Sequence, residues 1–213
     1  IAESIFQQMR GEPHPTPAWI VVGAGTGGTS ATIGRYIRYQ GCATRLCVVD
    51  PEHSVFHDYF HHRDASITSA RGSDVEGIGR PRVEPSFVPD VIDRMERVPN
   101  AASYAAMRVL QRLVGRRYGG STGTDFYVAM QLACEMAQRN QAGSIVALAC
   151  DSGDRYMDSY YDDAWLASNR YDIAPYVAQL EEAWLRGVWR DGGGSRPAGQ
   201  PGDHEAAALA AAG

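Results

Sequence analysis

The sequence predicts an α/β domain built on a largely parallel sheet, and three observations predict it. The apolar run Trp19-Ile20-Val21-Val22 breaks into a glycine loop, Gly23-Ala24-Gly25-Thr26-Gly27-Gly28-Thr29, after which Ile33, Tyr36 and Ile37 fall at helical spacings. Two more short apolar runs, Leu46-Cys47-Val48-Val49 and Ile145-Val146-Ala147-Leu148-Ala149, read as buried strands. Stretches with helical apolar stripes lie between and after them, and strands alternating with helices make a sheet covered on both faces.

Taken in order, residues 2–10 form a short helix with Ile5 and Met9 on one face, and Pro13, Pro15 and Pro17 then forbid its continuation. The opening strand lies near 18–23, and a helix near 28–40 stops at Gly41. The second strand ends at Asp50-Pro51, and residues 52–86, rich in His, Arg, Ser and Gly, read as an irregular surface or active-site loop. A short strand at Val98 leads to Asn100 as N-cap of a helix carrying Tyr104, Met107, Leu110, Leu113 and Val114, closed by Gly115. A second glycine turn, Tyr118-Gly119-Gly120-Ser121-Thr122-Gly123-Thr124, opens a helix with Val128, Leu132 and Met136. The last strand, Ile145 to Ala149, runs into Asp151-Ser152-Gly153-Asp154-Arg155-Tyr156, where a cap by Asp151 or Ser152 and a local ion pair of Asp154 and Arg155 are expected. Tyr160, Tyr161 and Trp165 read as packing residues, and Trp184 and Trp189 as docking an amphipathic helix over 173–189. The folded domain is expected to cover residues 1–190, and the Gly-, Pro- and Ala-rich residues 191–213 to be a disordered tail.

Composition narrows the function. An apolar share of 44% is that of a globular protein, and a net charge of −5 argues against binding nucleic acid by general phosphate attraction. No apolar run approaches the roughly 18 residues of a membrane helix, and no signal peptide is recognisable. Cys42, Cys47, Cys134 and Cys150 are scattered and read as reduced thiols of a cytoplasmic protein. All 20 basic residues are arginines; there is no lysine. The start at Ile1 suggests an excerpt of a longer polypeptide.

A strand, a tight glycine loop and a helix start together form an anion site: glycine lets backbone N–H groups approach an oxyanion, and the helix N-terminus adds partial positive charge. The hydroxyls of Thr26 and Thr29 add two donors. Gly23-x-Gly25-x-x-Gly28 also satisfies a dinucleotide fingerprint, with Asp50 where a ribose-binding acid is expected, so an NAD-binding Rossmann oxidoreductase is one reading. The extra Gly27 and the flanking threonines instead crowd donors around one phosphate.

An ordered series then extends the pattern: Gly25-Thr26-Gly27-Gly28-Thr29, Gly77-Ile78-Gly79, Gly119-Gly120-Ser121-Thr122-Gly123 and Asp151-Ser152-Gly153-Asp154-Arg155-Tyr156. From residue 1 to about 166 the chain resembles the C-terminal half of the pyridoxal-phosphate (PLP) enzymes of the cysteine synthase and cystathionine β-synthase family. Glu76-Gly77-Ile78-Gly79-Arg80-Pro81-Arg82 looks most like its cysteine desulfhydrase-like branch. The resemblance implies a three-layer sandwich, the C-terminal part of a tryptophan synthase β-like, fold type II architecture. It implies that Gly25, Thr26, Gly27, Gly28 and Thr29 hold the cofactor phosphate, that Ser121 hydrogen-bonds the pyridine nitrogen, and that Gly77, Ile78, Gly79 and Arg80 line the substrate mouth. The reaction implied is β-elimination or β-replacement on cysteine or O-acetylserine, in a homodimer with a small amino-acid substrate and neither nucleic acid nor membrane as partner. Family members commonly follow the Gly-Ile-Gly segment with a small residue and a phenylalanine; here Arg80 to Ser86 intervene before Phe87.

That chemistry requires a Schiff-base lysine, which arginine cannot replace because it stays protonated. In the family it lies upstream of the matched region, so no catalytic residue is expected in this chain and the chain alone is expected to be inert. A non-catalytic binding paralogue is the alternative from outside enzymology. His53, His57 and His61, four apart, would align on a helix as metal ligands, but in a polar loop they read as a solvated or mouth-lining stretch, and no metal site is expected. Arg80 and Arg82 read equally as steering an anion or as an exposed pair.

Overall fold

The computed structural model describes residues 1–190, and the expected tail 191–213 lies outside them. Four strands form one all-parallel sheet: β1 (Trp19–Gly23), β2 (Arg45–Pro51), β3 (Arg94–Val98) and β4 (Ile145–Ala147), in the order β3-β2-β1-β4. Trp19 pairs with Arg45 on one side and with Ile145 on the other, which puts β1 at the centre and explains its uninterrupted apolar run.

The helices are α1 (Ala2–Gln8), α2 (Gly28–Gln40), α3 (Phe56–His62), α4 (Asn100–Val114), α5 (Gly120–Gln138), α6 (Asp163–Ser168) and α7 (Ala174–Arg186). Side chains alternate across the strands and so divide between two cores. Ile20, Val22, Leu46 and Val48 pack with Ile5, Ile33, Ile37 and Phe56 from α1, α2 and α3. Trp19, Val21, Cys47 and Val49 pack with Ala105, Val128, Leu132 and Leu180 from α4, α5 and α7. The result is the expected three-layer arrangement of helix, sheet and helix. Each fully buried Ile or Leu contributes about 1.5–3 kcal/mol relative to exposure.

Helix α5 is apolar almost all round because it lies between the sheet and the outer helices. No described helix is long and apolar enough to cross a membrane. A third cluster, Val75, Ile78, Tyr104, Met107, Tyr156, Tyr160 and Leu166, mounts the 75–78 segment on α4.

Several local expectations are corrected. The 52–86 stretch contains α3, and His53 sits before it with φ of 65°, off the helix that carries His57 and His61. Pro99 occupies the N-cap position of α4, and Asn100 is its first helical residue, its N–H donating to a Glu52 carboxylate oxygen at 2.9 Å. Leu113 and Val114 end the stripe of α4 exposed rather than buried. Trp184 is 58% exposed and docks nothing, whereas Trp189 packs edge-on to Tyr127 at 4.9 Å. Tyr160, Tyr161 and Trp165 pack as expected.

Candidate functional site

The chain runs outward from β1 to β2 to β3 and then returns to the far side of β1 for β4. In an open parallel sheet such a reversal leaves a crevice beyond the carboxyl ends of the two strands that flank it, here β1 and β4. A cavity of about 700 Å³ lies there, lined by Gly23 and Gly25–Thr29 after β1, by Glu76, Gly77, Ile78 and Arg80, by Ser121 at the start of α5, and by Leu148–Asp151 after β4. Its volume is that of a site for a cofactor and a small substrate. The two glycine turns, about a hundred positions apart, therefore open on one space.

The first loop is held from outside. Gly27 adopts φ of 88°, and a Cβ there would meet Phe87 Cα at 2.5 Å; one on Gly25 would meet Gly77 O at 2.6 Å. The Gly79 N–H donates to Ala24 O at 2.8 Å, and the Ser86 hydroxyl to Thr26 O at 2.6 Å. Loop shape is thus imposed by the 77–87 segment, and its inner side stays free. The first intrahelical bond of α2 runs from the Ala31 N–H to Gly27 O at 2.9 Å, so the N–H groups of Gly28, Thr29 and Ser30 have no helical acceptor. Thr26 and Thr29 are exposed and line the cavity, and among the described residues their hydroxyls have no partner. A Cβ on Gly28 would meet only Thr26 Oγ1, at 3.9 Å, and one on Gly77 nothing within 4 Å, so side chains there would stand in the cavity. Neutral donors around an open, glycine-walled cradle suit a phosphate group.

The second turn meets the cavity through Ser121 and is braced behind it. Gly119 donates its N–H to Asp151 O at 3.2 Å, and Cys150 donates its N–H to Thr122 Oγ1 at 3.0 Å. The Tyr156 hydroxyl donates to Asp151 Oδ2 at 2.7 Å. These bonds fix Ser121, which is buried in the cavity wall, against the segment that leaves β4. The Cys150 thiol lies beside the Ser121 and Thr122 hydroxyls, and partial desolvation raises its pKa although the residue is exposed.

At the mouth, Arg155 does not form the expected local pair with Asp154; it reaches back to Glu76, 79 positions earlier, at 2.8 Å. Asp154 accepts from Ser152, whose own hydroxyl caps the short 3₁₀ turn Gly153–Tyr156.

Three groups stand apart from the cavity. Asp50 is fully buried, takes the His57 N–H on Oδ2 at 2.8 Å, and is pushed up to about 6, mainly by desolvation. It is closed off from any ribose that a dinucleotide would present, so the acid that the NAD reading needs is missing from the site. His57, desolvated beside Arg97, is held down to about 4, and its ring lies 4.6 Å from that of His61. Among the described residues no group of three or more His, Cys, Asp and Glu side chains is placed to hold a metal. Sequence reasoning did not single out Asp125, one turn below Ser121. It is fully buried, neither carboxyl oxygen has a hydrogen-bond partner among the described residues, and burial raises its pKa far above the usual carboxylate range. The influence that opposes this rise is the backbone of Gly23, at the end of β1.

Residues 1–151 match the family model for pyridoxal-phosphate dependent enzymes. The chain belongs to that family. Its fold is accordingly the tryptophan synthase β-like, fold type II sandwich, of which the parallel sheet described above forms part. The chain is 57% identical over 182 residues to an L-cysteine desulfhydrase of Mycobacterium tuberculosis, covering 85% of this chain and 50% of that protein. It is 30% identical over 171 residues to a cystathionine beta-synthase of Saccharomyces cerevisiae (78% and 32% covered). It is 29% identical over 168 residues to cysteine synthase 2 of Schizosaccharomyces pombe (74% and 41%). The chain thus spans half or less of the length of these relatives.

Proposed function

We propose that the chain is the cofactor-cradling part of a PLP-dependent enzyme acting at the β-carbon of cysteine or O-acetylserine, with cysteine desulfhydration as the first activity and cysteine synthesis as the second. The observation that carries this reading is the opening of both glycine turns on one cavity at the strand-order reversal. The desulfhydrase relative at 57% identity supports the order of the two activities.

The cofactor, when bound, supplies an electron sink for the substrate's α-carbon. In this reading the backbone N–H groups at the start of α2 and the hydroxyls of Thr26 and Thr29 hold its phosphate. Ser121 would donate a hydrogen bond from its neutral hydroxyl to the ring nitrogen while keeping its proton, so that the nitrogen stays largely unprotonated and the sink mild. Gly77 leaves room for a substrate at the mouth, and the Glu76–Arg155 pair closes one wall.

No residue of this chain can anchor the cofactor covalently as a lysine does, since the sequence has none. We therefore assign that group, and the base it becomes, to the remainder of a longer polypeptide. The lysine-bearing full-length protein should release sulfide from cysteine faster than it makes cysteine from O-acetylserine and sulfide. The 213-residue chain should do neither, and should give no new absorbance at the violet edge of the visible with PLP once its N-terminal amine is blocked. A band that survives the blocking overturns the assignment. The missing lysine favours one second reading, a non-catalytic binding relative, which absence of sulfide release from the full-length protein would select.

A further inference from the structure

We propose that Arg80 is the anion-binding side chain of the cavity, setting a formal positive charge beside the oxyanion that the Gly25–Thr29 loop is built to receive. The inference rests on the proposed phosphate role of that loop and adds a charged contact to it.

The loop itself offers only neutral donors, backbone N–H groups and threonine hydroxyls, plus the partial charge of a helix terminus. Four charged side chains line the cavity: Glu76, Arg80, Asp151 and Arg155. Glu76 and Arg155 neutralise each other at 2.8 Å, and Asp151 takes the Tyr156 hydroxyl. Arg80 forms an ion pair with no carboxylate among the described residues.

Its position is fixed rather than incidental. The Arg80 N–H donates to Ser54 Oγ at 3.0 Å, and its carbonyl accepts the Val55 N–H at 3.0 Å, so the backbone is clamped to the turn before α3. Nη1 donates to the carbonyl of the preceding Gly79 at 2.9 Å, which folds the side chain back toward the glycine loop. Nη2 then lies 4.0 Å from the point a Cβ on Gly25 would occupy. One terminal nitrogen of the guanidinium is thus spent on orientation, and the other stands beside the loop, on its Gly77 side, with no acceptor among the described residues.

Arg82, two residues on, provides the contrast. Its side chain is 75% exposed and pairs with Glu84 at 3.5 Å, outside the cavity lining. The two arginines that look alike in sequence have different surroundings. A half-buried guanidinium held in place and lacking a counter-charge gains most from an oxyanion, because charge-assisted hydrogen bonds are roughly twice as strong as neutral ones and little rotamer freedom remains to be lost.

Two oxyanions fit there, the phosphate of the cofactor and the carboxylate of an amino-acid substrate, and calorimetry on the full-length protein freed of cofactor separates them. The probes are inorganic phosphate, pyridoxine 5′-phosphate (whose alcohol replaces the reactive aldehyde), pyridoxine and L-alanine. The variants are Arg80→Gln, which can still donate to Gly79 O, and Arg80→Lys, which keeps the charge without the fork. Arg80→Gln should weaken inorganic phosphate and pyridoxine 5′-phosphate by about tenfold, leave pyridoxine unchanged, and lose more than Arg80→Lys. A loss confined to L-alanine supports the same residue with the substrate carboxylate as its anion. If Arg80→Gln binds all four probes as the wild type does, the Arg80 inference falls and the glycine loop stands. A wild type that binds neither phosphate, pyridoxine 5′-phosphate nor L-alanine takes both down.

Discussion

In the loop after β1 a Cβ on Gly28 would find only Thr26 Oγ1, at 3.9 Å, whereas in the turn that opens α5 a Cβ on Gly123 would meet Ser103 O at 2.2 Å and Met107 Cβ at 3.0 Å. The same residue type serves two physical ends. At Gly28 the missing side chain leaves space for something other than protein. At Gly123 it lets α5 approach α4 closely enough for the Thr124 hydroxyl to reach Ser103 Oγ at 2.8 Å. Glycine in a motif therefore says that a Cβ is unwelcome, and only its neighbours say whether the reason is a ligand or another helix.

The largest effect should come from Gly123→Ala. Its methyl group would strike a backbone carbonyl that cannot move without shifting α4, and we expect a loss of about 3 kcal/mol in urea unfolding. A loss below about 1 kcal/mol would break the contrast between the turns.

Asp125, between the two turns, should give the next largest effect. Burial raises its folded-state pKa far above 3.8. Below about pH 4 both states hold the proton; as pH climbs, the unfolded chain releases it while the folded chain keeps it, and stability falls. Asp125→Asn should therefore be more stable than the wild type at pH 7 by roughly 1–3 kcal/mol, with the gap shrinking toward pH 4. Measuring the gap at each pH removes the contributions of Asp50, which has the same sign up to about pH 6, and of His57, whose depressed pKa makes stability fall toward low pH. A gap that does not change with pH would show that Asp125 is not held protonated.

Gly28→Ala should barely register in stability, within about 1 kcal/mol, since Gly28 is the first residue of α2 and alanine favours helix. Inorganic phosphate binding by the same variant should fall at least about tenfold, because the methyl group occupies the cradle. Unchanged phosphate affinity would mean that the loop's open side faces no anion.

The framework was legible because its signals are local. Ile33, Tyr36 and Ile37, bounded by Gly28 and Gly41, set the limits of α2, and unbroken apolar runs marked β1 and β2 as interior strands. Helix α3 escaped because it is seven residues long, has Val55 rather than a capping side chain at its N-cap, and buries only Phe56 in a stretch otherwise full of His and Arg. Trp184 was misjudged because helical spacing identifies a stripe without fixing how far it rotates from the core. In the site, the two glycine turns and Ser121 were readable as motifs. Asp50 was misleading: its distance from the loop fits a ribose contact, yet its side chain turns inward to cap the start of α3. The Glu76–Arg155 pair, 79 positions apart, and the burial of Asp125 depend on how crossovers stack, and no local pattern carries them. For Asp125 one signal did exist, an acid four residues after Ser121 in a helix apolar on nearly every side.

The Gly79–Ala24 bond and the seat of Gly27 on Phe87 have a practical consequence for protein engineering. The curvature of the glycine segment is moulded by residues that follow it by more than fifty positions, so a transplant of residues 19–40 onto another parallel sheet would carry the letters of the motif without its mould. A portable version would have to bring the 77–87 strap along as part of the same graft.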